Sequence, residues 1–195
     1  MHAPALAALL LALAPGGAAA AGGRGDDRAG ACPAASAVPA TAAAADRSER
    51  SLLCLINRER ARAGLRPLRP NRCLARAAAG HVRDMVRHRY FAHTSRDGRS
   101  FARRIRATGY APPTARWTVG ENLAWGAAPA GDPAWVVRAW LRSPGHRANL
   151  LSARFRDAGV GVAPGAPVAL AAAAPARATY AVDFGAQGGR GGRCR

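Results

Sequence analysis

Apolar residues recur at helical spacing at Leu52, Leu55, Ile56 and Ala63 and stop at Gly64. The sequence therefore predicts a helix that starts at Asp46, with Glu49 three residues on completing a capping box. Arg58, Arg60 and Arg62 are expected to face water from it. A second stripe, Leu74, Ala78, Val82 and Met85, predicts a helix from an Asn71 cap to about Arg89 with His81 on or near its buried face. A lone histidine there is expected to serve the core by donating to a carbonyl, with Asp84 one turn on as its partner or as a helix-face charge. Ser100 opens a short helix with Phe101 and Ile105 inward and Gly109 as its stop. Asp132-Pro133 opens another, with Val136, Val137, Trp140 and Leu141 inward until Ser143-Pro144. Trp117 to Trp125 alternates, with Gly120-Glu121-Asn122 read as a turn at its centre. Gly159-Val160-Gly161-Val162 and Thr179 to Phe184 read as short strands joined by a long Ala/Pro/Gly loop. This order predicts an α+β fold, helices packed on a small antiparallel sheet.

Composition adds boundaries. The 195 residues fit one domain with extensions. Residues 1–21, an apolar run followed by Pro15-Gly16-Gly17 and small residues, are expected to be a secretory signal peptide, too short to span a membrane. Residues 22–47 are expected to be a flexible Ala/Gly/Pro-rich linker, 48–187 the folded domain and 188–195 a basic Gly/Arg tail. Much of the 49% hydrophobic content is alanine, so the expected anchors are Trp117, Trp125, Trp135, Trp140, Phe91, Phe101, Phe155 and Phe184. In an exported chain four cysteines suggest two disulfides out of three connectivities, and the favoured pairs are Cys54 with Cys73 and Cys32 with Cys194. The formal charge of +18 comes from 29 basic residues, all arginine and spread over every segment without an aromatic platform. That pattern argues against a specific nucleic-acid partner and for loose adhesion to anionic surfaces.

The candidate chemistry lies in three separate segments. His93 falls just past a helix end, Glu121 sits in the Gly-Glu-Asn stretch, and His146 follows the Pro144-Gly145 pair. Ser143, Glu121 and His146 also contain the residue types of a nucleophilic triad, but Ser143 has no nucleophile-elbow glycines and a serine there is expected to satisfy a helix end before proline. Two histidines and a glutamate are the ligand set of many catalytic zinc sites. Zinc or another divalent cation on His93 and His146 is the expected cofactor, and a metal-free version would use Glu121 as general base with a histidine as acid.

The ordered set His81-x-x-Asp84-Met85, Tyr90-Phe91-x-His93, Asp97-Gly98, Gly120-Glu121-Asn122, Trp140-x-x-Ser143-Pro144-Gly145-His146-Arg147-x-Asn149-Leu150-Leu151 and Gly159-Val160-Gly161-Val162 resembles the bacterial branch of the CAP superfamily. That superfamily includes cysteine-rich secretory proteins, antigen-five allergens and plant pathogenesis-related proteins. The resemblance, covering about Ser48 to Gln187, implies a three-layer α-β-α sandwich outside the cell. It implies a cleft in which His93 and His146 are the two histidines and Glu121 is one of two acids. The second acid falls at Ser143 and is missing. Some superfamily members bind sterols or lipids, some act as proteases and many have no assigned activity, so the resemblance does not choose among them. The expected function is a secreted, monomeric binding module for a divalent ion, lipid or cell-envelope ligand, with an envelope polymer or extracellular protein as further partners. The other reading is a metal-dependent or His/Glu-based extracellular hydrolase of the peptidase type.

Overall fold

A computed structural model describes residues 32–110, 116–169, 175–188 and Cys194. The expected signal peptide lies outside these residues, as does the basic tail apart from Gly188 and Cys194. In chain order the elements are α1 (Ala42–Arg62), β1 (Arg69–Pro70), α2 (Arg72–His88), α3 (Phe101–Ala107), β2 (Trp117–Ala127), α4 (Pro133–Arg142), α5 (Pro144–Leu150), β3 (Asp157–Pro164) and β4 (Arg177–Gln187). Among the described residues the sheet runs β1-β3-β4-β2, with β3, β4 and β2 antiparallel and the two-residue β1 parallel to β3.

Strand alternation makes the layers. On β4, Ala178, Tyr180, Val182 and Phe184 join Ala158, Val160 and Val162 of β3 in a core closed by Leu52 and Ile56 of α1 and Val136, Val137 and Trp140 of α4. On the opposite face Ala181 and Leu123 pack with Ala78, Val82 and Met85 of α2, and beside them Cys73 and Leu74 of α2 pack with Ile105 of α3. The result is the expected α+β fold with helices on both faces. The Gly159-Val160-Gly161-Val162 run shows why: the valines fill the α1/α4 core, while a Cβ on Gly159 or Gly161 would overlap the backbone of α2 at Ala75 or Ala79.

Several local expectations change. Helix α1 begins at Ala42, four residues before Asp46, because Thr41 supplies the cap by accepting from Ala44 N and the following alanines are strong helix formers. Glu49 is thus mid-helix, and its Oε1 accepts from Val162 N of β3 at 3.1 Å. The chain before it is also tied down: Cys32 bonds Cys54, and Ala134 N donates to Ala35 O at 2.9 Å. Arg60 does not face water. It is 1% exposed, and its guanidinium donates to Leu150 O and Ser152 O at the end of α5 and to Arg66 O in the segment after α1. The Gly120 region is no turn: β2 pairs with β4 continuously from Trp117 to Ala127. Phe91, expected as an anchor, is 40% exposed.

The cysteine pairing also differs. The bonds are Cys32–Cys54, with Cα atoms 5.7 Å apart, and Cys73–Cys194, at 5.1 Å. Cys54 lies on α1, which packs on one face of the sheet, and Cys73 opens α2 on the other, so neighbouring helices in sequence are not neighbours in space. Among the described residues no helix is long and apolar enough to cross a membrane.

Candidate functional site

The site straddles β2, an edge strand of the sheet, and its Gly-Glu-Asn motif is explained residue by residue. A Cβ on Gly120 would lie 2.9 Å from both Asn149 Oδ1 and Phe155 Cζ, so glycine lets α5 and the β3 approach seat against the strand. Alternation then sends Glu121 to the α2/α3 face and Asn122 to the α5 face. Asn122 Nδ2 donates to His146 O at 3.0 Å and holds the start of α5. Asn149 Nδ2 donates to Asn122 Oδ1 at 2.9 Å and to Glu121 O at 3.3 Å, and Trp140 Nε1 donates to Leu123 O at 3.0 Å. Two outward carbonyls at the centre of the edge strand, Glu121 O and Leu123 O, are therefore capped by side chains, which blocks a further strand from pairing there.

On the α2/α3 face the Glu121 side chain is fully buried between two donors. Its Oε2 accepts from Arg104 at 2.5 Å, and its Oε1 is 2.8 Å from His93 Nδ1. Arg104 also donates to His93 O, Ser95 Oγ and Arg99 O, so one guanidinium fixes both the acid and the loop that carries His93. The His93 ring, half exposed, therefore carries its proton on Nδ1 toward the carboxylate and turns Nε2 outward. On the α5 face His146 Nδ1 is 2.8 Å from Ser143 Oγ, and burial first, then the neighbouring His93, hold its pKa below the ordinary imidazole value.

Of the three expected residues, His93 and Glu121 bond to each other, while His146 bonds Ser143 and is linked to the Gly-Glu-Asn strand through Asn122. Glu121 has both oxygens engaged and no exposed side-chain surface, so it is not placed to act as a general base on a ligand and instead orients His93. Ser143 occupies the N-cap of α5 without making a capping bond, because its hydroxyl is spent on His146. That bond is to Nδ1, and Glu121 spends both oxygens on His93 and Arg104, so the three do not line up as a triad. His81 serves the core as expected, its Nε2 2.9 Å from Ala92 O. Burial and then Arg104 lower its pKa, so it is a neutral donor. Asp84 accepts from Tyr90 O–H and lies 3.5 Å from His88 Nε2.

Two residues of the site were not picked out in the sequence. Arg104 is one of many arginines, and its only signal is its position three residues after Phe101 on the inward face of α3. Asp183 interrupts the buried run of β4, is 0% exposed and stands opposite Glu121 in the β2/β4 register. Among the described residues no group of three or more His, Cys, Asp or Glu side chains is arranged to hold a metal ion. A cation would have His93 Nε2 and His146 Nε2 as its protein donors. A depression of about 430 Å³ beyond Arg104, lined by Arg76, Asp84, His88, Arg96 and Arg99, contains none of His93, Glu121 and His146.

Known proteins are similar to this chain to differing extents. The model of the cysteine-rich secretory protein family, CAP, matches residues 53–171. The uncharacterized protein YkwD of Bacillus subtilis is 36% identical over 113 residues, 58% of this chain and 41% of that protein. A crystal structure of an extracellular protein containing a SCP domain from Bacillus anthracis superposes with a TM-score of 0.57 at 27% identity, over 75% of this chain and 44% of that one. An outer surface protein of Borrelia burgdorferi shares the fold at 21% identity and a TM-score of 0.56, over 72% of this chain and 93% of its own. The chain thus spans less than half the length of the two bacilli proteins it matches.

Proposed function

The chain belongs to the cysteine-rich secretory protein (CAP) family, and from that premise we propose that it is an extracellular binding module whose cleft takes a divalent cation, zinc foremost, between His93 and His146. The observation that carries this reading is the pair of tied-off Nδ1 atoms. Each imidazole is oriented through Nδ1: the Glu121 carboxylate takes the Nδ1 proton of His93 and leaves its Nε2 as the lone pair, and the Ser143 hydroxyl occupies Nδ1 of His146, whose Nε2 is a lone pair in the tautomer that donates to the hydroxyl. Metal-binding histidines are held in this way by an outer partner, which fixes the tautomer and raises ligand basicity. Protonating His93 also disfavours protonating His146, so the pair suits a cation that replaces protons. With two protein donors the remaining positions belong to water or to an oxygen-bearing ligand of the cell envelope. Two disulfides and the extracellular or surface character of the similar proteins support a secreted chain.

Calorimetric titration of the full, oxidised chain with zinc tests the reading. Saturable binding is expected in the native protein and not in a His93→Ala, His146→Ala double variant. An unchanged isotherm in that variant would overturn it. A hydrolase of the peptidase type is the second reading, and the Glu121–His93 bond favours it by making His93 Nε2 an oriented base. In that case peptide or ester turnover is expected to fall on Glu121→Gln, and turnover indifferent to that change removes the dyad from the mechanism.

A further inference from the structure

We propose that Asp183 is the second carboxyl of this site: a buried, protonated acid on β4 that donates to Glu121 across the β2/β4 pair and holds that carboxylate in place for His93. The register sets Glu121 directly against Asp183. Because Glu121 O and Leu123 O accept from side chains on the open edge of β2, these positions point their backbone groups away from β4. Glu121 and Asp183 are therefore a non-hydrogen-bonded antiparallel pair, the kind whose side chains come closest, with Cα atoms about 4.5 Å apart. Two like charges directly opposite in such a pair repel.

The donor count decides which acid is neutral. Glu121 accepts from Arg104 and His93, the pattern of an ionised carboxylate. Asp183 is 0% exposed, and neither of its oxygens meets an N–H or O–H donor among the described residues. A carboxylate stripped of water and donors is too costly to persist, whereas a carboxylic acid turned toward Glu121 supplies the missing hydrogen between two acceptors. Among the described residues the surrounding elements offer no second counter-charge, and the buried Arg104 Nε, which has no acceptor, does not reach Asp183. Arg104 of α3 is committed to Glu121, His81 of α2 is held neutral, and the β3 residue opposite Asp183 is Gly159. Burial first and the Glu121 charge second push the Asp183 carboxyl well above the usual carboxylate range, and Arg104 offsets only part of this.

The consequence for the cleft rests on the function proposed above; the proton on Asp183 does not. The superfamily's second acid is missing at Ser143, and a second carboxyl is instead supplied from behind Glu121. It has no exposed surface, so it is a positioning residue.

Isotope-edited infrared spectroscopy of the full chain with carbonyl-labelled aspartate tests this at neutral pH. One protonated aspartate band is expected in the native protein, absent in Asp183→Asn and retained in His93→Ala. In Glu121→Gln the band is expected to vanish, because Asp183 then ionises as the anion for Arg104. No such band in the native protein, a band that survives Asp183→Asn, or one unchanged in Glu121→Gln would overturn the proposal. If Asp183→Asn does not fold, carbon-13 NMR of the native chain decides. The Asp183 carboxyl carbon should keep the shift of a neutral acid at pH 7, and titration in the ordinary carboxylate range would refute it. Failure of zinc binding would remove the cation reading and leave this band where it is.

Discussion

Arg104→Met is the sharpest probe of how the site is held. The change keeps the apolar stem that packs in α3 and deletes the guanidinium, which is 8% exposed and contacts a Glu121 side chain with no exposed surface. Removing one partner of a buried ion pair leaves an uncompensated charge, at a cost of about 3–5 kcal/mol. The three freed acceptors, His93 O, Ser95 Oγ and Arg99 O, add less, since most of their loop borders water and solvent can replace the lost donor. Urea denaturation monitored by tryptophan fluorescence reads the difference by linear extrapolation. Against a total stability of about 5–15 kcal/mol, the variant is expected to be folded but close to its limit. Glu121→Gln in the same chain removes the stranded charge, so the double variant should lose less than the sum of the singles, with a coupling of about 0.5–3 kcal/mol. An Arg104→Met loss under about 1 kcal/mol, or strict additivity with Glu121→Gln, would refute the account of Arg104 as the counter-charge.

Gly161→Ala, whose new methyl would strike the α2 backbone, should cost more than about 3 kcal/mol, whereas Gly80→Ala on the exposed face of α2 should gain about 0.5–1 kcal/mol; melting curves of both variants check the contrast. Peptide mapping without reduction should recover Cys32 joined to Cys54 and Cys73 joined to Cys194. On the loop-entropy model, losing the second bond, which closes 121 residues, should cost about 5 kcal/mol against about 3 kcal/mol for the first, which closes 22. His81 and His146 are held below the ordinary imidazole pKa, so below about pH 6.5 the unfolded chain binds protons that the folded chain refuses. Their contribution is full above that pH and is lost as pH falls through it, and His81→Gln should flatten the decline in a denaturation series from pH 7 to about pH 5. Asp183 has the opposite sign, contributing most in acid and less as pH rises above its unfolded value near 3.8. Ser143→Asp restores an acid behind His146 and should tighten zinc binding about tenfold or more by calorimetry, and unchanged affinity would show that the hydroxyl already suffices.

Most helix signals were legible because they are local, although α1 is capped by Thr41 and not Asp46, and α5 opens at the Ser143-Pro144 pair that the sequence reads only as a helix end. The Asn71, Ser100 and Asp132 caps, the stripe Leu74, Ala78, Val82, Met85, and the stops at Gly64 and Gly109 depend on residues within a few positions of one another, and each stands where the sequence places it. Errors arose where a distant segment decides. Alternation alone cannot distinguish a strand carrying Gly120 from a turn, because the need for glycine is set by Asn149 and Phe155 on the far side of the sheet. Arg60 looks like a solvated charge until the carbonyls at the end of α5 arrive from 90 residues away. The cysteine pairs depend on which face of the sheet each helix covers, and sequence spacing carries no trace of that.

The same distinction explains the site. His93, Glu121 and His146 lie in motifs dense enough to be recognised together, yet the motifs say which residues meet and not what each does. Roles depend on occupancy: Glu121 is an orienting group only because Arg104 takes its second oxygen, and Arg104 has no motif of its own. Ser143 is a second orienting group only because its hydroxyl turns from the helix end to His146. The acid that the superfamily pattern places at Ser143 and the acid buried at Asp183 are not equivalents, since one position borders the cleft and the other has no exposed surface. A carboxylate at the first would add charge where a ligand sits, whereas a neutral acid at the second adds a hydrogen bond behind Glu121 and no further charge to the buried Arg104–Glu121 pair. The chemistry available here is therefore that of two imidazoles, one backed by a carboxylate and one by a hydroxyl, and any ligand must be matched to that asymmetry.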